Sequence, residues 1–336
     1  MSTPCFIAEP FFDPLVEALR YLPECPRLLW NHLPGAGGVK KLGWVGIQHA
    51  SDSVCGSLNI LDLTTLANQT IPLPGRPGFF VETTQPGVVL VGLERRLVFC
   101  DLATGQVEET GILITDDPRV IINDGLSIAG GVLFGTKHLE FTKPIAALYF
   151  FDPFTRNVRT IMAGQTCSNG KFFRRDVAGV TLIDVDSTPK AINRYRFDEK
   201  LERLLDHALV ASADSLPGFP DGLLPSPDGL SIIVAFYNPS LVADGIARQL
   251  HIDNGEVLCE WRIPGSPRVT NLALVELGGK VKIIFTTAVE GMPAETRRLA
   301  PGAGTFFIAD TPFGSIPKPP PLFPYGDGHT SSTFGQ

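Results

Sequence analysis

Four short polar motifs stand out from the mostly apolar segments of this chain. They are Pro23-Glu24-Cys25-Pro26, Asn123-Asp124-Gly125, Ser168-Asn169-Gly170 and Pro220-Asp221-Gly222. If the acidic and amide residues of these motifs converge, they offer only hard oxygen ligands, which suit Ca²⁺, Mg²⁺ or Mn²⁺ better than a metal that prefers thiolate or imidazole. Asn-Gly and Asp-Gly are also common turn sequences. Whether the motifs form one site or four ordinary turns therefore depends on the secondary-structure elements that carry them.

Those elements follow an internal repeat, in which an apolar strand ends in an aspartate and a short turn. The six aspartates are Asp62, Asp101, Asp152, Asp198, Asp253 and Asp310, separated by 39, 51, 46, 55 and 57 residues. Repeats of about 40 to 50 residues built from hairpins are typical of radial β architectures. The repeat predicts an all-β, six-bladed β-propeller with four-stranded antiparallel blades, whose polar motifs enter the innermost strands near the axis.

The chain divides into three regions. Residues 1–22 form an N-terminal extension, in which Pro10 to Leu22 has apolar residues at helical spacing and predicts a short helix. Residues 23–314 form the propeller, with inserted loops expected at 35–41 and 288–303 and a helical piece at 294–299. Residues 315–336 are rich in Pro, Gly and Ser and predict an extended or loosely attached tail.

Composition excludes several classes of partner. The net charge is −7 and no basic run exceeds two residues, which argues against nucleic acid. No apolar stretch reaches 18 residues and the N-terminus does not resemble a signal peptide, so we expect no membrane span and a cytoplasmic location. The six cysteines have no metal or redox spacing and are expected to be free thiols. A small-molecule substrate is the expected partner, and the oligomeric state stays open.

The motifs also carry a resemblance to a known family. The strings LGWVGI, INDGLSIAGGVLFGT, CSNG, PDGLLPSPDGLSIIVAFYN and VTNLALVELGGKVKIIFTTA resemble landmarks of the gluconolactonase, regucalcin (senescence marker protein) and luciferin-regenerating-enzyme family. The resemblance covers roughly residues 22 to 312. Members of this family are six-bladed propellers.

The resemblance implies a single divalent cation at the top of the channel, held by Glu24, Asn169 and Asp221. We expect Ca²⁺ first, with Mg²⁺, Mn²⁺ or Zn²⁺ as alternatives. Asn123 matches a position that touches the substrate close to the metal. Glu140 matches a substrate-contacting acid if one residue is deleted in the intervening turn.

Two positions depart from the family pattern. Cys25 replaces the usual glycine, and Ile121 stands where sugar lactonases carry a basic residue. Arg119 lies nearby and reaches inward only if the strand bulges. Because hydroxyl-rich substrates need hydrogen-bond donors, the loss at Ile121 weakens the case for a sugar lactone and indicates a less polar ligand.

The expected activity is hydrolysis of a lactone or related cyclic ester. A hard cation would polarise the carbonyl and acidify a bound water, and Asp221 would act as general base. The chain has no G-x-S-x-G nucleophile motif, and His138 is the only histidine near a motif. Two alternatives stay open: a non-catalytic propeller stabilised by its cation, and a lyase or isomerase acting through an enolate.

Overall fold

The computed structural model describes residues 3–31 and 40–326 and consists mainly of antiparallel strands. It opens with β1 (Cys5–Ile7), β2 (Glu9–Phe12) and helix α1 (Glu17–Tyr21). Six sheets follow, and each begins with a strand that packs against the first strands of the neighbouring sheets. These first strands therefore surround a common axis, and the predicted six-bladed propeller is confirmed.

The blades follow one another along the chain. Blade 1 contains β3 (Pro23–Leu28), β4 (Lys41–Gly46), β5 (Gly56–Asp62) and β6 (Asn68–Leu73). Blade 2 contains β7 (Pro77–Glu82), β8 (Val88–Leu93), β9 (Arg96–Asp101) and β10 (Val107–Leu113). Blade 3 contains β11 (Val120–Ile128), β12 (Gly131–His138), β13 (Ala146–Asp152) and β14 (Asn157–Gln165).

The second half of the ring is built in the same way. Blade 4 contains β15 (Ser168–Asp176), β16 (Gly179–Asp186), β17 (Ala191–Phe197) and β18 (Leu204–Ala211). Blade 5 contains β19 (Phe219–Pro225), β20 (Ser231–Tyr237), β21 (Asp244–His251) and β22 (Val257–Pro264). Blade 6 contains β23 (Val269–Leu277), β24 (Lys280–Thr287) and β25 (Phe306–Asp310), with helix α2 (Ala294–Leu299) between the last two.

The N-terminal segment completes the ring. Strand β2 pairs antiparallel with β25 and supplies the fourth strand of blade 6, while β1 adds a parallel fifth strand to blade 5. The predicted short N-terminal helix is confirmed and spans Glu17–Tyr21, within the Pro10–Leu22 stretch. The residues before it pair with the edge of β25, and Phe12 packs edge-on against Phe306 with ring centroids 5.4 Å apart.

Two predicted insertions have different outcomes. The helical piece at 294–299 is confirmed as α2. Residues 35–39 of the other loop lie outside the described residues. Neither helix in the described part of the chain is long and apolar enough to cross a membrane.

Four of the repeated aspartates, Asp62, Asp101, Asp152 and Asp198, lie at the end of the third strand of their blades and hold the outer hairpins. Asp253 and Asp310 instead form ion pairs with Arg194 and Lys282. The Oδ1 atom of Asp62 accepts backbone hydrogen bonds from Thr64 (2.9 Å) and Thr65 (3.0 Å). Asp101 accepts the equivalent bonds from Ala103 and Thr104. Such side-chain to backbone bonds fix the turn that reverses the strand. The repeat is therefore structural, far from the axis.

The described part of the C-terminal segment, residues 315–326, is extended and is held to the propeller. It crosses the end of the channel at which the inner strands finish, where Ser127 donates a hydrogen bond to the carbonyl of Pro321. Phe323 is 2 % exposed, and its backbone pairs with the end of β7. A cavity of about 200 Å³ lies between this segment and the residues at the middle of the channel. We call residues 316–326 the strap.

Candidate functional site

Every innermost strand carries a β-bulge near its beginning. Each bulge inserts one extra residue into the inner strand, so that Cys25 and Pro26 of β3, for example, face only Trp44 of β4. The other five bulges fall at Pro77–Phe79, Ile122–Gly125, Ser168–Lys171, Pro220–Leu223 and Val269–Asn271. A bulge redirects a side chain relative to the regular alternation of the strand. All four polar motifs lie at these bulges, within the strands rather than in the loops before them.

Glycines after the bulged residues let adjacent inner strands approach closely. A Cβ on Gly170 would lie 2.4 Å from the backbone nitrogen of Leu223, and one on Gly222 would lie 2.1 Å from Cγ of Asn271. Neither contact is possible for a real side chain, so any larger residue would push the strands apart. The glycines of the SNG and PDG motifs thus have a packing role in addition to any role in chain reversal.

The bulges bring the predicted site residues together at one level of the channel. Glu24, Asn123, Asn169 and Asp221 are between 5 % and 8 % exposed. The amide Nδ2 of Asn169 donates to Asp221 Oδ1 and to Ser187 Oγ (3.2 Å). Both amide hydrogens of Asn169 are directed to these acceptors, which leaves its carbonyl oxygen available as a ligand.

The remaining contacts link three further blades to this group. Asn271 of blade 6 donates to Glu24 Oε2 (3.1 Å), and its side chain covers Gly222 next to Asp221. Asn123 Nδ2 donates to the carbonyl of Ser168 (3.1 Å), beside Asn169. The carboxyl and amide groups therefore form one connected cluster, which we call the axial site.

The ionised forms of two carboxyl groups of the axial site are disfavoured by burial. Burial raises the pKa of Glu24 to about 8, although the Asn271 hydrogen bond and the charge of Lys137 oppose this shift. Burial, and then the charge of Glu24, raise the pKa of Asp221 well above its usual range. Two buried carboxylates without a cation repel each other and lose hydration, and both costs fall when a cation binds between them.

The donor set fits a hard divalent cation. Glu24, Asn169 and Asp221 offer two carboxylates and one amide carbonyl, and oxygen ligands of this kind are those that Ca²⁺ and Mg²⁺ prefer. Within residues 3–31 and 40–326 no three His, Cys, Asp or Glu side chains cluster as metal ligands. A cation here would therefore depend on the amide oxygen as well as on the two acids.

Ion pairs form the layer beneath the axial site. Lys171 lies 3.1 Å from Asp184, and both side chains are almost completely buried. Arg27 pairs with Asp124 at 3.7 Å, and its Nε donates to the sulfur of Cys25 at 3.1 Å. These charges pair with one another, so none of them forms an ion pair with Glu24 or Asp221.

Three residues considered in the sequence lie elsewhere. Glu140 is exposed and makes no hydrogen bond or ion pair with the axial site in the described residues, and its charge acts on Arg119. Arg119 points outward and pairs with Asp117 at 2.6 Å. His138 is fully buried, and its Nδ1 accepts the backbone N–H groups of Thr142 and Lys143. It therefore holds a turn.

Sequence reasoning did not identify two residues of this region. Asn271 lies in the VTNLAL string, and its position at the sixth bulge is the signal that could have found it. Lys137 follows Gly-Thr in β12 and is 9 % exposed. Its charge acts on the carboxyl groups of both Glu24 and Asp221.

Stability without a cation is expected to fall as the pH rises. The folded-state pKa of Glu24, about 8, exceeds its ordinary value of 4.5, so the folded protein holds this proton more tightly than the unfolded chain. The free energy of unfolding therefore declines between about pH 4.5 and pH 8, by on the order of a few kcal/mol. Thermal melting at several pH values in EDTA measures this decline. Glu24→Gln should reduce this decline, with Asp221 contributing the remainder, and an equal decline in that variant would contradict the assignment.

The bulge at Cys25 stores strain that glycine would release. Cys25 has φ of 51°, a left-handed conformation that costs a residue with a Cβ about 1 kcal/mol or more. Cys25→Gly and Cys25→Ala both remove the buried thiol, but only the first relieves the backbone. We expect the glycine variant to be more stable than the alanine variant by about 1 kcal/mol in urea unfolding. Equal stabilities would show that the conformation is not strained.

Comparisons with known proteins agree with the observed architecture. Residues 35–289 match the family model described as the SMP-30/Gluconolactonase/LRE-like region. The structure is similar to a calcium-binding protein, regucalcin, from Agrobacterium tumefaciens strain C58, with a TM-score of 0.72 and 17 % identity over 96 % of this chain and 99 % of that one. No curated protein matches the chain significantly in sequence.

Two further solved structures are similar. A luciferin-regenerating enzyme has a TM-score of 0.74 and 17 % identity, covering 94 % of this chain and 100 % of its own. A gluconolactonase from Xanthomonas campestris has a TM-score of 0.56 and 17 % identity, covering 93 % and 99 %. At such low identity these likenesses show a shared fold.

Proposed function

The chain belongs to the SMP-30/Gluconolactonase/LRE-like family, and we propose that it is a divalent-metal-dependent hydrolase of the lactonase type. The observation that carries the proposal is the pair of buried acids, Glu24 and Asp221, whose pKa values burial raises. A protein that only needed a stable core would gain by replacing them with apolar residues. Their presence beside amide oxygens at the start of the inner strands favours a cation site.

The relatives support the reaction class. One similar structure is a gluconolactonase and another is described as calcium-binding. A bound divalent cation would supply Lewis-acid polarisation of the substrate carbonyl and a more acidic water. These two effects are what ester hydrolysis needs in the absence of a nucleophilic serine.

The residues of the chain then have distinct tasks. Glu24, Asn169 and Asp221 would hold the cation, and the Asn271 hydrogen bond orients the Glu24 carboxylate. Asp221 would take a proton from the attacking water as general base, with its Oδ1 held by Asn169. Asn123 is buried beside Asn169 and would orient the substrate.

A test of this proposal uses a panel of lactones and cyclic esters. The protein is stripped with EDTA, reloaded separately with Ca²⁺, Mg²⁺, Mn²⁺ or Zn²⁺, and assayed for proton release and for products by mass. We expect hydrolysis that EDTA abolishes and one of the cations restores, with a mass gain of one water. Products of unchanged mass would indicate an isomerase instead, and cation-dependent melting without any turnover would favour a binding propeller.

A further inference from the structure

Lys137 is a buried cation to which the proposed hydrolytic mechanism gives no role. Its side chain is 9 % exposed, yet it forms no ion pair and no hydrogen bond among the described residues. Lys171, the other buried lysine of this region, lies 3.1 Å from Asp184 and donates to Ser168. The Lys137 ammonium lies against the Phe141 ring and acts on the acids of the axial site only through its charge, so its N–H donors are available to a ligand.

The fold directs Lys137 to the axial site. It pairs across strands with Ile121, two residues before Asn123, and forms an isolated bridge with Cys167, two residues before Asn169. It therefore stands between the inner strands of blades 3 and 4. Its charge is close enough to both Glu24 and Asp221 to offset part of the effect of burial on those acids.

The turn after β12 brings an aromatic ring against the lysine side chain. Its Nζ lies 5.9 Å from the ring centroid of Phe141, which has φ of 56° at the turn after β12. The buried His138 ring holds that turn through the backbone N–H groups of Thr142 and Lys143. A lysine placed against an aromatic ring loses less entropy on binding a ligand than a free surface lysine does.

The other cations near the axial site each contact an acid or a carbonyl. The ion pairs Arg27–Asp124 and Lys171–Asp184 are neutral, and Arg268 binds the backbone carbonyl of Glu290. The buried acid Asp186 accepts the backbone N–H groups of Thr166 and Cys167. A divalent cation would balance Glu24 and Asp221, which leaves the Lys137 ammonium available to an anionic ligand.

We propose that Lys137 binds an anionic group of the substrate, so that the substrate class is a lactone or cyclic ester bearing a carboxylate near the reacting carbonyl. This inference rests on the proposed function where it calls the ligand a substrate. The binding of an anionic ligand by Lys137 is argued from the residues of the site alone. Sugar lactonases carry a basic residue at the position of Ile121. Here Lys137, which lies opposite Ile121 on the neighbouring strand, would supply that positive charge instead.

The test compares two lactones that differ only in charge, 5-oxotetrahydrofuran-2-carboxylate and its methyl ester. Calorimetry measures the Kd of each for the Ca²⁺-loaded protein and for the EDTA-treated protein. We expect the loaded protein to prefer the carboxylate, and Lys137→Met to weaken carboxylate binding by about 10- to 100-fold with less than about threefold effect on the ester. Without Ca²⁺ the carboxylate should bind more weakly, because the site then has a net negative charge.

Two variants control for charge and folding. Lys143→Met removes the same charge from an exposed position a few residues away and should leave both Kd values unchanged. Lys137→Arg keeps the charge, and binding within a few-fold of the original would exclude loss of folding as the cause. Equal affinity for the two lactones, no binding of either, or an unchanged carboxylate Kd in Lys137→Met would overturn the inference.

Binding and turnover separate this inference from the function on which it builds. If the carboxylate binds in a Lys137-dependent way but no lactone is hydrolysed, the inference stands for a ligand and the hydrolase proposal fails. If lactones are hydrolysed with equal kcat/KM for the carboxylate and the ester in both the original protein and Lys137→Met, the hydrolase stands and the inference fails.

Discussion

Replacing Asp221 with asparagine is expected to lower cation-dependent turnover strongly while making the cation-free protein more stable. Asparagine has almost the same shape and can still accept the hydrogen bond from Asn169. It removes one of two buried charges, however, and the charge of the ligand set largely determines affinity for a hard cation. Losing an outer partner of a metal site already costs roughly 10–100-fold in affinity, so losing a charged ligand should cost at least that much.

The two effects have one physical cause. Burial and the charge of Glu24 raise the pKa of Asp221, so an ionised Asp221 destabilises the fold unless a cation is present. We expect Asp221→Asn to lower turnover by on the order of 10²–10³-fold. It should raise the unfolding free energy in EDTA by about 1–3 kcal/mol at pH 8, and by less at pH 5. Calcium titration, lactone hydrolysis and urea unfolding at both pH values measure the three quantities.

The sequence contains a matched control for this substitution. Asp228 lies in a second Pro-Asp-Gly, in the hairpin between β19 and β20, where its Oδ1 accepts hydrogen bonds from Ser226 (2.5 Å) and Leu230 (3.0 Å). Asp228→Asn should cost about 0.5–1.5 kcal/mol of stability through these bonds and leave cation affinity unchanged. If Asp228→Asn and Asp221→Asn affect turnover equally, or if Asp221→Asn destabilises the cation-free protein at pH 8, the assignment of the axial site is wrong.

Blade number could be predicted because it depends on local chemistry. In the first four blades an aspartate at the end of the third strand caps its own turn, as Asp62 and Asp101 do. Three or four consecutive residues determine such a turn, so it can be predicted without knowing any distant contact. Counting the strand-aspartate motif, which returns in blades 5 and 6, therefore predicted the six blades that the structure confirms.

The details of the axial site depend on bulges, which local sequence does not specify. If the residues of β11 and β12 paired one to one from the turn that joins them, Ile121 would lie opposite His138. The extra residue in the bulge shifts this pairing by one, so that Lys137 lies opposite Ile121 and His138 lies opposite Val120. A one-residue shift also reverses the face of each side chain. The roles of Lys137 and His138 could therefore not be read from spacing alone.

Closure of the propeller ring by residues distant in sequence is the other feature that local sequence could not predict. Blade 6 has only three strands from its own segment, and its fourth, β2, comes from about 300 residues away along the chain. The apolar spacing of Pro10 to Leu22 predicts the short helix, but it does not show that Glu9–Phe12 pair with the edge of β25. The strap is a similar case, because its attachment depends on contacts with blades 2 and 3.

Replacing Phe323 in the strap with alanine is expected to cause a large loss of stability with little effect on the axial site. Phe323 is 2 % exposed and lies between Phe99 (centroids 6.2 Å apart) and Phe151 (5.8 Å apart). Its backbone N–H donates to Glu82 and its carbonyl accepts from Thr84. Removing a buried phenylalanine ring leaves a cavity and typically costs about 3–5 kcal/mol.

The same substitution at an exposed phenylalanine provides the comparison. Phe154 is 67 % exposed in an outer turn, so Phe154→Ala should cost less than about 0.5 kcal/mol. Urea unfolding of the two variants measures the difference, and calcium titration should give affinities within about twofold of the original protein for both, because the strap crosses the opposite end of the channel from Glu24. A loss below about 1 kcal/mol in Phe323→Ala would mean that the strap is not part of the folded core. A large loss of calcium affinity in Phe323→Ala would instead show that the two ends of the channel are coupled. The coupling would run through inner strands such as β7 and β11, because the strap and the axial site both contact these strands.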